Sequence, residues 1–237
     1  AYAGASGPVQ NFGTITGYEA VWIDGGGIVN NVGTGSQLIG SYIGIVGFSG
    51  AVTVTNAGTI RATTLSTIAS HAYGVYLRAG GTITNSGSAS LIAAPDIAIG
   101  SGSFGGNVVN NQGQIIGTNY GVWLVNGTFN NTITNSGTIS GGTKAVAFGA
   151  GNDLLTLQAG ATFIGVVDGG AGTNTLAFDG TGGSFTGLGS ASFTNFGIVS
   201  VNSGASWTFT GANTVASGVA FTNSGTMANS GTLTNNT

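Results

Sequence analysis

The chain repeats a pattern in which an apolar residue is followed two positions later by asparagine and, after two more, by glycine. The apolar position is occupied by Val9, Val29, Val54, Ile83, Val109, Ile133, Phe193 and Phe221. The asparagines are Asn11, Asn31, Asn56, Asn85, Asn111, Asn135, Asn195 and Asn223, and the glycines are Gly13, Gly33, Gly58, Gly87, Gly113, Gly137, Gly197 and Gly225. The asparagines are 20, 25, 29, 26, 24, 60 and 28 residues apart, and periods of this length predict a repeat architecture.

Each repeat begins with a segment in which apolar and hydroxyl residues alternate, as in Thr53-Val54-Thr55. This alternation predicts a β-strand that directs Val54 inward and both threonines outward. Asparagine and glycine are expected to end the strand, because asparagine can bond to its own turn and glycine tolerates a positive φ.

A second column of β-branched residues follows the first at the same period. It comprises Val21, Ile45, Val75, Ile99, Val122 and Val146, offset by 24, 30, 24, 23 and 24 residues. An antiparallel meander would not keep two columns in one order, whereas a coil stacks each turn on the last, roughly 4.8 Å away. The sequence therefore predicts an all-β, single-domain parallel β-helix, or β-solenoid, over residues 1–237, with about ten coils of 20–29 residues. Its stacked asparagines, from Asn11 to Asn135, are expected to bond to one another as a ladder, like asparagine ladders in cross-β packing.

The amino-acid composition excludes several classes of function. Charged residues make up 4% of the chain, the net charge is −3, and the cysteine count is zero. A nucleic-acid surface is not expected because basic runs are missing, and disulfides and thiolate metal sites are excluded. No apolar run reaches transmembrane length. Because the sequence starts at Ala1 and still repeats at Thr232–Asn235, we expect a piece of a longer secreted chain.

The asparagine-glycine column, the Tyr-Gly-Val-x-Leu segments and the glycine-rich stretches 149–153 and 168–172 resemble passenger domains of Gram-negative autotransporter adhesins and related β-helical surface proteins. The resemblance covers essentially the whole chain. It implies secretion and display at the cell surface of a Gram-negative bacterium. It is specific to architecture, because such passengers include adhesins, biofilm proteins and some enzymes.

Site chemistry is sparse in this sequence, and neither a cofactor nor a bound metal is expected. Asp153 lies in a segment that fits part of a calcium-binding nonapeptide repeat, but the nearest copy is 21 residues away and has Asn174 instead. Such sites need tandem copies, so a plain glycine turn is favoured over calcium at Asp153. Glu19 and Asp24 flank Trp22 as an imaginable acid and base, and His71 is the only histidine. We expect solvated turn carboxylates and no enzyme.

The strongest functional signal is aromatic. If the second column points inward, Trp22, Tyr76 and Trp123 point outward on alternate coils of one face. Exposed aromatic rows bind sugar rings or proteins, and the alternative is that a loop covers these side chains. Outward threonine arrays would suggest ice binding, but the column before each asparagine is broken by Gln10, Asn30 and other residues.

The sequence therefore predicts a non-enzymatic structural rod that mediates adhesion, biofilm formation or fibre-like self-association. Its partners would be copies of itself, surface glycans, or host and matrix proteins. The alternative is a polysaccharide-binding or polysaccharide-degrading β-helix enzyme. Ice binding is less favoured than either of these functions.

Overall fold

The structure is a computed structural model that describes residues 2–3, 8–65, 71–125 and 127–236. Every regular element in these ranges is a β-strand. The strands in the first half of the chain are β1 Tyr2–Ala3, β2 Val9–Asn11, β3 Thr14–Ile23, β4 Gly27–Asn31, β5 Gln37–Gly47, β6 Val52–Asn56, β7 Thr59–Ala62, β8 Tyr73–Leu77, β9 Gly81–Asn85, β10 Leu91–Ala94, β11 Ile97–Ser101, β12 Asn107–Asn111, β13 Gln114–Gly117 and β14 Tyr120–Leu124. The strands in the second half are β15 Thr132–Asn135, β16 Thr138–Phe148, β17 Leu154–Leu157, β18 Thr162–Asp168, β19 Thr175–Phe178, β20 Thr181–Phe185, β21 Phe193–Thr194, β22 Ile198–Val201, β23 Ser206–Phe209, β24 Ala212–Val215, β25 Ala220–Asn223, β26 Thr226–Asn229 and β27 Thr232–Asn235.

The first face of the molecule is a ten-stranded parallel sheet in the order β2-β4-β6-β9-β12-β15-β17-β19-β22-β25. Each strand pairs with the strand one coil away, so Val54 lies beside Val29 and Ile83. The chain makes about nine turns, all wound in parallel register. The predicted parallel β-solenoid is confirmed, with a coil count close to the predicted one.

A twelve-stranded sheet supplies two further faces because its longest strands bend. The first part of β5 pairs with β7, whereas its second part pairs with β8. Glycines form the bend: a Cβ on Gly40 would overlap the carbonyl oxygen of Ile43, and one on Gly117 would overlap that of Tyr120. The bend divides each coil of this region into three strand segments around one core. In the last coils, β20-β23-β26 and β24-β27 form separate small sheets.

The core is a continuous column of buried aliphatic side chains between these faces. The two predicted inward columns both lie in it, and Val54, Ile83, Ile45 and Val122 are fully buried. Toward the C-terminal coils the core becomes aromatic and includes Phe178, Phe185, Trp207 and Phe209. The interior therefore fills with larger side chains where the asparagine motif is lost.

The predicted asparagine ladder is confirmed from Asn11 to Asn135. Each asparagine Nδ2 donates to the Oδ1 of the asparagine one coil further on. The distances are 2.7 Å for Asn11–Asn31, 2.8 Å for Asn31–Asn56, 2.8 Å for Asn56–Asn85, 2.9 Å for Asn85–Asn111 and 2.8 Å for Asn111–Asn135. All six side chains are buried. The amides also reach backbone carbonyls, so a buried polar column is satisfied within the fold.

Asn195 and Asn223 have the same motif but do not continue this ladder, so prediction of ladder asparagines from the motif alone is wrong at these two positions. Asn195 follows β21, which pairs with β18 on another face, and its Nδ2 donates to Asp168 Oδ1 at 2.7 Å. Asn223 is in the ladder column but exposed, and its Oδ1 accepts only from the Gly225 N–H among the described residues. Apolar side chains interrupt the column between Asn135 and Asn223, namely Leu157, Phe178 and Val201.

The motif glycines serve two different purposes. Gly33 and Gly87 adopt the predicted left-handed backbone, with φ of +86° and +84°. Gly58, Gly113 and Gly137 do not, and a Cβ there would overlap backbone oxygens of the neighbouring coil. These three permit close coil contact instead. The expectation of a positive φ is therefore wrong for them, and it is wrong for Gly13, Gly197 and Gly225 as well.

A second polar ladder, which the sequence analysis missed, begins each first-face strand in the middle coils. Asn107 Nδ2 lies 3.3 Å from Asn131 Oδ1, Asn131 Nδ2 lies 2.9 Å from Asp153 Oδ1, and the Asp153 N–H donates to Asn174 Oδ1 at 2.9 Å. All four residues are buried. The signal was present, because each precedes an inward apolar residue by two positions, as Asn131 precedes Ile133.

Candidate functional site

The most distinctive surface is a second hydrophobic cluster outside the core, on the face formed by β8, β11, β14 and the second parts of β3, β5 and β16. We call this set the outer aromatic cluster, and it comprises Trp22, Tyr42, Ile43, Val46, Tyr73, Tyr76, Ile97, Tyr120 and Trp123. Its strand residues recur three positions apart, as in Tyr73 and Tyr76 or Tyr120 and Trp123.

The three predicted outward aromatics lie in one column of this cluster. Register pairs Trp22 with Val46, Val46 with Tyr76, Tyr76 with Gly100, and Gly100 with Trp123. The aromatic side chains are therefore two coils, or about 9.6 Å, apart along the axis. At the intervening Gly100, a Cβ would overlap the ring of Tyr73, so that ring fills the gap.

Trp22, Tyr76 and Trp123 are half-buried, and a neighbouring ring covers each of them. Tyr73 and Tyr76 have ring centroids 4.7 Å apart, and Tyr120 and Trp123 are 5.7 Å apart. Trp22 stacks on Phe48 at 5.3 Å, and its indole N–H is buried without a partner among the described residues. Burial raises the pKa of Tyr73, with the neighbouring Tyr76 adding to the shift. The row is thus a packed, rigid strip with exposed edges.

The strip continues around the corner of the rod into a cationic stack. The Arg78 guanidinium carbon lies 4.4 Å from the ring centroid of Phe48 and 4.9 Å from that of Phe104. Phe48 is 36% exposed and Phe104 is 63% exposed. Phe48, Ser49, Arg78, Ala79 and Phe104 line an open cleft of about 300 Å³. The sequence analysis did not single out any of these residues.

The single histidine borders the same cluster and is held by a buried carboxylate. His71 Nδ1 lies 2.7 Å from Asp96 Oδ2, and Asn119 Nδ2 donates to Asp96 Oδ1 at 2.8 Å. The His71 ring is 5.2 Å from that of Trp123. The Tyr42 hydroxyl bonds to the His71 backbone. In the described residues, neither a hydroxyl nor a second carboxylate bonds to the His71 ring, so the geometry orients an imidazole without presenting it to a nucleophile.

Glu19 and Asp24 are not brought together by a fold of the chain. They are five residues apart along one extended segment, which separates their backbones by roughly 16 Å. The carboxylate of Asp24 accepts a hydrogen bond from Ser49 Oγ at 2.9 Å. Glycosidase carboxyl pairs are at most about 9.5 Å apart, so the backbone spacing gives no support to this pair as acid and base.

Asp153, the calcium candidate, lies inside the second polar ladder and is 1% exposed. Its Oδ1 accepts the Asn131 backbone N–H at 2.6 Å and the side-chain amide at 2.9 Å. Burial raises the pKa of Asp153 despite these bonds. In the described part of the chain, His, Cys, Asp and Glu do not form any group of three that could hold a metal ion.

A further charged site lies where β16 meets β18. Lys144 Nζ is 2.5 Å from Asp168 Oδ2, and Asp168 Oδ1 accepts from the Gly170 N–H at 2.9 Å and from Asn195. Partial burial favours the neutral acid, but these donors and the lysine charge outweigh it and lower the pKa of Asp168. The arrangement is a satisfied ion pair that fastens adjacent coils.

The outward threonine column is broken in the structure as in the sequence. Thr55 pairs with Asn30 on one side and Thr84 on the other, and Asn110 follows in the next coil. A flat, regular threonine array is therefore not formed on this face. Separately, the described residues include no helix long and apolar enough to cross a membrane.

The geometry defines the class of protein as a parallel β-solenoid with a rigid aromatic strip along one face. Comparison of the chain with protein-family models, curated proteins and solved structures yields no match.

Proposed function

We propose that this chain is a non-enzymatic structural protein, a stiff β-helical rod whose outer aromatic cluster mediates adhesion. The observation that carries the proposal is the alignment of Trp22, Tyr76 and Trp123 along the rod axis at a two-coil spacing. Their rings are packed against neighbours, so binding would cost little side-chain entropy. Aromatic faces and edges of this kind suit sugar rings or protein surfaces.

The mechanism is avidity along a rigid support. Backbone hydrogen bonds between coils and the asparagine ladder hold neighbouring coils in fixed register. Shallow contacts that repeat on such a support act together, because the first contact raises the effective concentration of the next. The binding partners that we propose for the rod are surface glycans and host or matrix proteins.

Display at the cell surface of a Gram-negative bacterium belongs to the same proposal. It is supported by the resemblance to autotransporter passenger domains and by the lack of cysteine in the sequence. Secretion and a role in biofilm formation follow from the same resemblance.

The test replaces both Trp22 and Trp123 with alanine in one variant. It measures cell adhesion and glycan-array binding by the purified chain. We expect both signals to fall at least tenfold while the β-sheet circular dichroism persists. The matched control is Trp22→Phe, which keeps a ring stacked on Phe48 and loses no hydrogen bond within the described residues. Unchanged binding by the double alanine variant would reject the proposal, and release of reducing ends from polysaccharides would favour an enzyme.

A second function, fibre-like self-association, is supported by the last described coil. Strands β25 and β26 are each terminal in their sheets, so one edge of each has no strand partner among the described residues. Phe221, Met227 and Leu233 pack on the core but remain half-exposed. Open apolar edges with few charges favour stacking of a second copy.

Self-association is tested by electron microscopy and analytical ultracentrifugation across a concentration series. We expect the chain to form end-to-end assemblies, and Leu233→Lys to shift them toward monomer by placing a charge on the open coil. The matched control is Thr234→Lys on the opposite side of the same strand. Monodisperse monomer at high concentration would contradict the idea.

A further inference from the structure

Arg78 is a cation that has no carboxylate partner in the part of the chain that the structure describes. The ion pairs among the described residues are His71 with Asp96 and Lys144 with Asp168, and neither involves Arg78. Its guanidinium is instead enclosed by two phenyl rings, at 4.4 Å and 4.9 Å. Stacking covers the faces of the planar group, and its N–H edges have no side-chain or backbone acceptor among the described residues.

The chain is shaped to hold Arg78 in this position. Gly102 follows Arg78 by one coil, since its N–H donates to Leu77 O. A Cβ on Gly102 would lie 2.8 Å from Arg78 Cγ and would also overlap its backbone. Glycine at this position therefore lets the arginine side chain pass across the corner to Phe104. A guanidinium fixed in this way loses little entropy on binding a ligand.

The surroundings specify the kind of anion. Two exposed phenyl rings form the walls of the cleft of about 300 Å³, which is the lower end of ligand-site volumes. Ser49 also lines the cleft, and its hydroxyl donates to the carboxylate of Asp24 at 2.9 Å. A densely charged polyanion would be repelled by Asp24 and would find only one cation. A single carboxylate carried on an apolar ring face matches the site.

The site is also continuous with the aromatic strip, because Phe48 stacks on Trp22 at 5.3 Å. We propose that Arg78, held between Phe48 and Phe104, binds the carboxylate of a uronic acid in a glycan whose neighbouring sugars lie on the outer aromatic cluster. This inference rests on the adhesive function proposed above and adds the class of sugar that is recognised. Arg78 supplies the paired N–H donors, and the phenyl rings contact the C–H face of the sugar.

The experiment compares binding of a xylo-oligosaccharide that carries one glucuronic acid residue with that of the same oligosaccharide after methyl esterification, which removes the charge and keeps the sugar. Titration calorimetry is applied to the wild-type chain, Arg78→Gln, Arg78→Lys and the control Arg61→Gln. Arg61 is exposed on another face, and Arg61→Gln changes the net charge by the same amount as Arg78→Gln. Sulfated dextran is a further arm that distinguishes a carboxylate site from a general anion site.

We expect Arg78→Gln to weaken binding of the acid about tenfold to a hundredfold and to leave ester binding unchanged. Arg78→Lys should lose nearly as much, because lysine cannot form the bidentate pair. Equal binding of acid and ester by the wild-type chain, tighter binding of sulfated dextran, or an equal loss in Arg61→Gln would overturn the inference. Trp22→Ala with Trp123→Ala should weaken acid and ester alike, so a failure of the adhesive function is seen separately.

Discussion

Asn131 donates its side-chain amide to Oδ1 of Asp153 across 2.9 Å, while Oδ2 of the same carboxyl is buried without a partner among the described residues. In the preceding coil, Asn107 donates from both its backbone N–H and its Nδ2 to Asn131 Oδ1. At Asp153 only the backbone N–H donates onward, to Asn174 Oδ1. Oδ2 therefore stands where an amide nitrogen would be, and it can donate to Asn174 only when it is protonated.

The first prediction is that Asp153→Asn stabilises the fold at neutral pH by about 1–3 kcal/mol, because it supplies the missing donor and removes a buried unsatisfied oxygen. Since burial raises the pKa of Asp153, the folded state binds a proton more tightly than the unfolded state. The contribution of Asp153 to the free energy of unfolding is therefore greatest below the unfolded pKa of about 3.9, and it is lost as pH rises through the folded pKa. Denaturant unfolding at several pH values measures both effects.

The control for this change is Asp179→Asn, which removes an equal charge from a half-exposed side chain. We expect it to alter stability by less than about 0.5 kcal/mol. A loss of stability in Asp153→Asn at pH 7, or pH dependence identical to wild type, would show that Asp153 Oδ2 is not a costly unsatisfied acceptor in the ladder.

The second prediction concerns Asp168, whose pKa shift has the opposite sign. Burial opposes ionisation, but hydrogen bonds from Lys144, Gly170 and Asn195 and the lysine charge lower the pKa of Asp168. Its contribution is therefore present above about pH 3.9 and is lost as pH falls through the folded pKa. A double-mutant cycle with Lys144→Gln and Asp168→Asn should give a coupling of about 0.5–1 kcal/mol at pH 7. A coupling that increases as the pH falls below the ordinary aspartate pKa would contradict the assignment.

The main features of the fold were predictable because apolar period and spacing report coil stacking directly. The inward columns through Val54 and Val122 follow from alternation, and the ladder follows from the repeated asparagine. The failure at Asn195 has a local cause: β21 has the motif but pairs with Asp168 at the end of β18, and its coil already has Phe178 in the ladder column. Sequence similarity within a repeat does not fix which face a short strand joins.

The candidate site was only partly predictable. Alternation placed Trp22, Tyr76 and Trp123 in one outward column, and register confirms that alignment. The neighbouring Tyr73 was not anticipated, because it lies three residues before Tyr76 and strict alternation would place the two on opposite faces. The stack of Arg78 on Phe104 depends on a loop after β11, where periodicity carries no information.

The third prediction tests the ladder by removing one central member. Asn85 accepts from Asn56 at 2.8 Å and donates to Asn111 at 2.9 Å and to the Gln114 carbonyl at 3.1 Å. Asn85→Ala should therefore cost about 2–4 kcal/mol, since partners in both neighbouring coils lose buried bonds. Chemical denaturation provides the measurement.

The matched control for the ladder is Asn223→Ala, which changes the same residue type in the same column. Asn223 is exposed and bonds only to the Gly225 N–H among the described residues, so we expect a cost below about 1 kcal/mol. Similar costs at the two positions would mean that stacking between asparagines contributes nothing beyond the local turn.

The fourth prediction concerns the glycine bend that separates two faces of each coil. A Cβ on Gly117 would overlap the carbonyl oxygens of Tyr120 and Asp96, both of which belong to the backbone and cannot rotate away. Gly117→Ala should therefore destabilise the fold by about 3 kcal/mol or more, seen as a large drop in the urea midpoint.

Gly13→Ala is the control, because a Cβ there meets nothing within 4 Å and Gly13 is not among the positive-φ glycines. We expect it to change stability by less than about 1 kcal/mol, and to stabilise if it changes anything, by restricting the unfolded chain. Equal tolerance of both substitutions would show that the bend does not depend on the absence of a side chain.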